Sequence, residues 1–397
     1  MFTKFKKSFC RSVIALTLFF SVILGITDYR IEDTFSRRCG GSIPETTFIR
    51  IHPLQSCAAV STESTINIRY TANLFGILPL KNVSIRSIAP LYLCPGGMPF
   101  GVKLFTEGLI VVGFAEVDGP NGSCNPAGDA GIRMQDIILE INGERISSSE
   151  EFSGRIGTCS GNTVELKIRR GEEVLRIPVT PSLSISENRY KAGLLVRDNT
   201  AGIGTVTYID PANGSFAGLG HGICDAQTGA LLPLSRGTIS DVTISGVRKG
   251  AAGIPGELKG FFSSGKTGAL LGNSNAGVFG IMTEIPSSVS SEKALPIALK
   301  EEIHDGKAQI LCTLDGSGVH SYEVTLRKIR NSLDLKNMEV TVTDPALLEI
   351  TGGIVQGMSG SPILQNGRIV GAVTHVLIND PTKGYGIFIE NMLEAAG

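Results

Sequence analysis

From Asn188 to the C-terminus the chain repeats one rhythm: a short apolar run, a glycine turn, another short apolar run. Ala201-Gly202-Ile203-Gly204-Thr205-Val206-Thr207-Tyr208 leads into Gly218-Leu219-Gly220-His221-Gly222, and similar runs follow at intervals of about 8 to 12 residues. Glycine is abundant, 49 of 397 residues, against roughly 7% in an average protein. It supplies the left-handed backbone of tight turns and weakens helices, whereas the accompanying Val, Ile and Thr fit a pleated surface. The pattern selects antiparallel sheets that close or stack and argues against a helical bundle. Nothing repeats at a solenoid period, and the length allows two or three domains.

Lysines and arginines nearly balance aspartates and glutamates, for a formal net charge of -1. No basic excess draws in a polyanion, so nucleic acid is not an expected partner. The N-terminus carries a compartment signal. Lys4, Lys6, Lys7 and Arg11 precede an uncharged apolar run from Ser12 to Thr27. As a helix it would rise about 24 Å, slightly short of a hydrocarbon core of ~30 Å. A signal anchor with its basic end in the cytoplasm and the remainder exported is the expectation, with a cleaved signal peptide as the alternative. The eight cysteines contain no C-x-x-C pair, so neither a zinc site nor a redox motif is indicated, and no cofactor is expected. Residues 28–65 are polar and broken by Gly40, Gly41, Pro44 and Pro53, as a tether would be. Alternation in Ile66 to Tyr70 and Val83 to Arg86 reads as a short β lead-in.

Residues 94–185 form a more legible unit. Asp136-Ile137-Ile138-Leu139-Glu140-Ile141-Asn142-Gly143 is followed by a helix start with a capping box, Ser148 to Glu151. Val164 to Arg169 then turns through Gly171 into Val174 to Ile177. This stretch resembles a PDZ domain. In such domains a hydrophobic-Gly-hydrophobic loop offers backbone N–H groups to a peptide C-terminus, and the matching residues are Phe100, Gly101 and Val102.

Chemistry concentrates in two glycine-framed side chains. Gly357-Met358-Ser359-Gly360-Ser361-Pro362 presents a serine between small neighbours, so that a carbonyl could approach its hydroxyl. The N–H groups of Gly357 and Ser359 are the candidate oxyanion donors. The flanking glycines favour Ser359 over Ser361 as nucleophile. Of the five histidines, His221 in Gly220-His221-Gly222 is the best candidate base. His375 either lines a specificity pocket or packs, and His52, His304 and His320 sit in polar surroundings. A third group should fix the imidazole tautomer. Asp344, Asp225, Asp305 and Asp315 all remain open on residue chemistry.

These motifs, together with Gly371-Ala372-Val373-Thr374-His375-Val376 and Asp380 to Gly386, closely resemble the stage IV sporulation protein B peptidases of endospore-forming bacteria. The resemblance implies a mainly β chain: signal anchor or signal peptide (1–27), tether and β lead-in (28–93), PDZ domain (94–185) and a trypsin-like double β-barrel serine peptidase domain (186–397). It implies a serine endopeptidase exported across the forespore membrane into the intermembrane space. The family cleaves itself near the N-terminus and cleaves a membrane-bound inhibitor of an intramembrane metalloprotease, so that a late sigma-factor precursor is processed. The family's nucleophile falls on Ser359, its base on His221 and its acid on Asp344. Met358 stands where trypsin-like enzymes keep the aspartate that pairs with a new N-terminus, so activation by that ion pair is excluded. Two other classes are a non-catalytic PDZ adaptor with a degenerate protease domain and a cell-envelope binding protein.

Overall fold

The computed structural model describes residues 34–38, 49–53, 60–62, 65–74, 77–287, 289–329 and 335–397. The apolar run from Ser12 to Thr27 lies outside them, and among the described residues no helix is long and apolar enough to cross a membrane.

The chain divides into two compact units, one of Met1–Leu91 with Leu299–Glu302, the other of Tyr92–Ala298 with Ile303–Gly397. The first holds a five-stranded sheet of Thr34–Arg38, Leu78–Ile88, Thr65–Leu74 and Ile49–Pro53 in that order, with Val60–Thr62 added to Thr65–Leu74. Three of these strands fall in the stretch expected to be a tether. Ladder hydrogen bonds are made by the backbone, so polar residues that lack any alternation can still pair when a partner edge is offered.

The second unit contains two closed six-stranded antiparallel barrels. The first is built from β1 (Pro99–Phe114), β2 (Leu194–Ile209), β3 (Ser215–Gly218), β4 (Leu234–Arg248), β5 (Gly268–Ser274) and β6 (Gly277–Met282). Its strands run in the order β1-β2-β3-β6-β5-β4 and close where β4 returns to β1. The second comprises β7 (Gly306–Cys312), β8 (His320–Lys328), β9 (Met338–Val342), β10 (Pro362–Gln365), β11 (Arg368–Leu377) and β12 (Asp380–Phe388). Its order, β7-β8-β9-β12-β11-β10, repeats that of the first. A mainly β architecture with a double barrel therefore stands. Closure removes free sheet edges, and each barrel fills with its own apolar side chains. Phe100, Val206, Phe216, Ile239 and Val278 pack inside the first, and Ile310, Val324, Val340, Ile363 and Val373 inside the second.

The PDZ fold is inserted into the first barrel rather than placed before it. Strand β1 serves the barrel over its first half, then continues into the PDZ core, where Leu109 and Val111 pack with Ile138, Phe152, Leu166 and Ile168. Strand β2 begins in the same module, with Leu194 opposite Phe114, and returns to the barrel, with Ile203 opposite Gly101. The boundary expected from the sequence, between 94–185 and 186–397, falls in neither strand but assigns all of β1 to the PDZ unit and all of β2 to the peptidase unit, although each strand serves both.

Inside the module the local signals took effect. Helix α1 (Ser149–Gly157) starts at Ser148, whose hydroxyl accepts from the Glu151 N–H, while the Glu151 carboxylate accepts from the Ser147 N–H. Val164–Arg170 and Glu173–Val179 make the hairpin. Asn142 and Gly143 both take positive φ, 51° and 82°, as a two-residue hairpin turn requires. Asp136 is buried and held by Arg170 through two contacts of 2.8 and 2.7 Å, with the Arg133 N–H at 2.7 Å. A charge taken out of water in this way is fully paired.

Candidate active site and peptide groove

Ser359 lies on the turn between α2 (Pro345–Thr351) and β10. Gly357 and Gly360 both have positive φ, 96° and 95°, which an L side chain rarely adopts. The turn is held from the opposite barrel by β2. The Thr205 N–H donates to the Ser359 carbonyl at 2.9 Å, the Thr205 hydroxyl to the Gly357 carbonyl at 2.8 Å, and the Thr207 hydroxyl to the Gly360 carbonyl at 2.8 Å. The Ser359 hydroxyl donates to the Thr374 carbonyl at 2.6 Å. Among the described residues, the N–H groups of Gly357 and Ser359 donate to no protein acceptor, although Met358, Gly360 and Ser361 on the same turn all do. Two unspent amides beside a hydroxyl are what a developing oxyanion needs. Ser361, the rival serine, is fully buried, and among the described residues its hydroxyl has no hydrogen-bond partner. Met358 is likewise fully buried, in the core of the second barrel.

His221 follows β3 on a loop whose entry, Leu219 and Gly220, is left-handed at both residues. The loop is pinned by Asn273 at the end of β5. Its side chain accepts from the Ile223 N–H at 2.8 Å and donates to the carbonyls of Ile223 and Leu232 at 2.9 Å each. His221 and Ser359 line one cleft of about 450 Å³ between the barrels. The Nδ1 atom of His221 faces its neighbour's carbonyl, Gly222 O, at 2.9 Å. A carbonyl can only accept, so Nδ1 carries the hydrogen and Nε2 keeps its lone pair for proton abstraction. Burial holds the His221 pKa below its usual value, partly offset by the Gly222 carbonyl.

The acid inferred for the triad is not at this ring. Asp344 is the N-cap of α2: one oxygen accepts from the N–H groups of Ala346 and Leu347, the other from Glu323 N–H at 3.1 Å. Asp225 is no better placed, being buried on a turn with Arg197 at 2.6 Å and the Gln227 and Thr228 N–H groups. Asp305 accepts from Lys328 N–H, and Asp315 from Ser317. The sequence held a signal for the first of these roles. Asp followed by Pro is a helix N-cap and first helical residue, and a cap consumes the carboxylate. Asp344→Asn, which can still cap, is therefore expected to leave kcat within a few-fold of the parent in a peptide-cleavage assay. A loss of 100-fold or more would show that the carboxylate reaches the imidazole in the working enzyme.

A second histidine occupies the site instead. The His375 ring centroid lies 4.7 Å from that of His221, tilted by 36°. One side of His375 is open to the cleft, yet packing against the wall, the neighbouring His221 and Lys336 lower its pKa to about 4. Both imidazoles are therefore neutral at pH 7. Among the described residues no group of three or more His, Cys, Asp or Glu converges as metal ligands do.

The residues from 188 to 393 match the protein family described as SpoIVB peptidase S55, more than half of the 397-residue chain. The chain belongs to that family. Residues 120–180 match the PDZ domain family. Among curated proteins, this member of the SpoIVB peptidase S55 family is 37% identical over 70 residues to a Clostridium perfringens protein named as a zinc metalloprotease, covering 18% of this chain and 21% of that one. It is 45% identical over 56 residues to Serine protease HTRA1 of Xenopus tropicalis, covering 14% and 12%. The chain thus spans about a fifth or less of these relatives. A solved PDZ domain of the SdrC-like protein of Listeria monocytogenes is 23% identical and covers 23% of this chain and 87% of that one, at a TM-score of 0.19.

The SpoIVB-family chain does not use Phe100, Gly101 and Val102 as a carboxylate-binding loop. All three lie within β1, between β2 and β4, with Gly101 opposite both Ile203 and Ser240. Phe100 and Val102 are buried. The hydrophobic-Gly-hydrophobic pattern has another cause here: a Cβ on Gly101 would sit 2.2 Å from the Phe262 ring, so glycine is needed for that ring to pack. The groove of the PDZ module lies elsewhere, about 410 Å³ between α1 and the start of β2, with Ser149, Phe152 and Ile156 facing Leu194, Leu195 and Val196. Over these residues β2 pairs with β1 on one edge, and no strand among the described residues pairs with the other.

Proposed function

We propose that this protein is a serine endopeptidase. His221 takes the proton from Ser359 as the hydroxyl attacks a peptide carbonyl, the N–H groups of Gly357 and Ser359 hold the oxyanion, and water deacylates the enzyme. The observation that carries this reading is the meeting, in one cleft, of a serine hydroxyl, an imidazole with a free Nε2 and two unspent amides. The unpaired edge of β2 beside α1 supports capture of an extended peptide or C-terminus by strand addition. In cells the role follows that of the sporulation peptidases: export across the forespore membrane behind the N-terminal anchor, self-cleavage near the N-terminus, and cleavage of a membrane-bound inhibitor of an intramembrane metalloprotease. The cleft reading is tested by fluorophosphonate labelling of the full chain. Ser359 should be the labelled residue, and Ser359→Ala should remove both label and proteolysis while melting like the parent. An unlabelled, inert parent chain would make the protein a peptide-binding adaptor.

A further inference from the structure

The walls of the catalytic cleft are uncharged. No Asp, Glu, Lys or Arg is among its lining residues. Beside Ser359 the wall is Ile354 and Val355 on the approach to the nucleophile turn, and Val376 and Ile378 beyond Thr374, whose carbonyl holds the Ser359 hydroxyl. Ile203 and Ile223, from the first barrel, line the same cleft. Behind this wall the packing is close: a Cβ on the buried Gly384 would lie 2.7 Å from Ile354 Cδ1 and 2.6 Å from the His375 carbonyl, so Ile354 is held in place.

We infer that this cleft selects substrates with an uncharged aliphatic side chain on the residue whose carbonyl Ser359 attacks, with Ile354 and Val376 as the residues that set the preference. The inference rests on the hydrolase reading and adds its substrate class. An ionised side chain entering between Ile354 and Val376 would leave water and meet no opposite charge on the lining residues, Lys336 lying in the adjoining pocket past His375, so the discrimination is one of unpaired desolvation. An aliphatic side chain meets aliphatic walls on both sides and gains from the water it displaces. A trypsin-like specificity for Lys or Arg needs a carboxylate at the end of such a pocket, and none lines it.

The test is digestion of a proteome-derived peptide library by the full chain, with the residues before each cut read by mass spectrometry and fluorophosphonate labelling run in parallel. Ile, Leu, Val, Ala and Met should precede the cut at least 100-fold more often than Lys, Arg, Asp and Glu together, after correction for their abundance. Val376→Asp, on a half-buried strand position, should raise cleavage after Lys or Arg at least 10-fold relative to cleavage after Leu. Ile354→Asp should do the same if its buried position tolerates the carboxylate. A labelled enzyme that cuts after charged residues, or a Val376→Asp variant that folds and labels but keeps the parental preference, overturns the inference and leaves the hydrolase reading intact. A parent chain that neither labels nor cuts overturns both.

Discussion

Replacing His221 by glutamine is expected to lower kcat/KM by about 10⁴-fold or more, the scale at which removing a base from a serine hydrolase leaves only binding and oxyanion stabilisation. Glutamine occupies similar space but cannot accept the proton at neutral pH. The fold should survive the change, because the loop is anchored through Ile223 by Asn273 and not through the imidazole. A melting temperature within about 2 °C of the parent would confirm this, as for a substitution of similar volume that costs only the ring's own contacts with Gly222 and His375. The pH profile of the parent carries independent information. A base must be neutral to act. Burial lowers the His221 pKa, so the ring stays neutral to more acid pH and the acid limb of kcat/KM should fall below the ordinary histidine value of about 6.5. A carboxylate at the ring would act in the opposite sense, stabilising imidazolium and raising the limb above 6.5. The position of one inflection thus decides whether the Gly222 carbonyl alone orients the base, or whether Asp344 leaves its helix cap to join it.

Local chemistry was readable in the sequence and long-range pairing was not. The capping box at Ser148, the Asn142-Gly143 turn and the hairpin around Gly171 each specify a backbone conformation within a few residues, and each formed. The serine turn was readable for the same reason, since Gly357 and Gly360 announce positive φ. Closure of the first barrel depends on Gly101 finding Ile203 across the inserted PDZ module, and no residue between them records that meeting. The same gap explains Phe100, Gly101 and Val102. A glycine flanked by apolar residues has one local appearance, whether its amides face a ligand or a neighbouring strand. The position of His375 beside His221 was hidden because it is set by how the two barrels pack, which brings β11 to the loop after β3.

Strand β2 links the two functional regions physically. Its first residues border the peptide groove, its middle residues Thr200–Ile203 line the catalytic cleft, and Thr205 and Thr207 clamp the carbonyls of Gly357, Ser359 and Gly360. The inserted module is joined to the barrel through β2 and its partner β1, and Ile137 of the module packs beside Leu104 and Leu232. A peptide added to the free edge of β2 would therefore bear on the same element that holds the nucleophile.

Gly360→Ala should expose how much that clamp matters. A Cβ at Gly360 would lie 2.0 Å from the Thr205 carbonyl oxygen and 2.5 Å from the Leu219 N–H nitrogen, both backbone atoms that cannot swing aside. The left-handed φ of 95° adds the usual penalty of a non-glycine residue there. The barrels must separate locally, the Thr205 bond to the Ser359 carbonyl must lengthen, and Leu219 must carry the His221 loop with it. The expected result is a loss of about 3 kcal/mol or more in stability, as for forced overpacking combined with backbone strain, together with loss of fluorophosphonate labelling. Gly367→Ala is the control. It also sits at positive φ, 73°, but a Cβ there meets nothing within 4 Å, so it should cost only about 1 to 2 kcal/mol of left-handed strain and keep full labelling. Denaturant midpoints and labelling rates of the two variants separate strain from contact. If Gly360→Ala behaved like Gly367→Ala, the nucleophile turn would not be seated against Thr205, and the two barrels would not share the site.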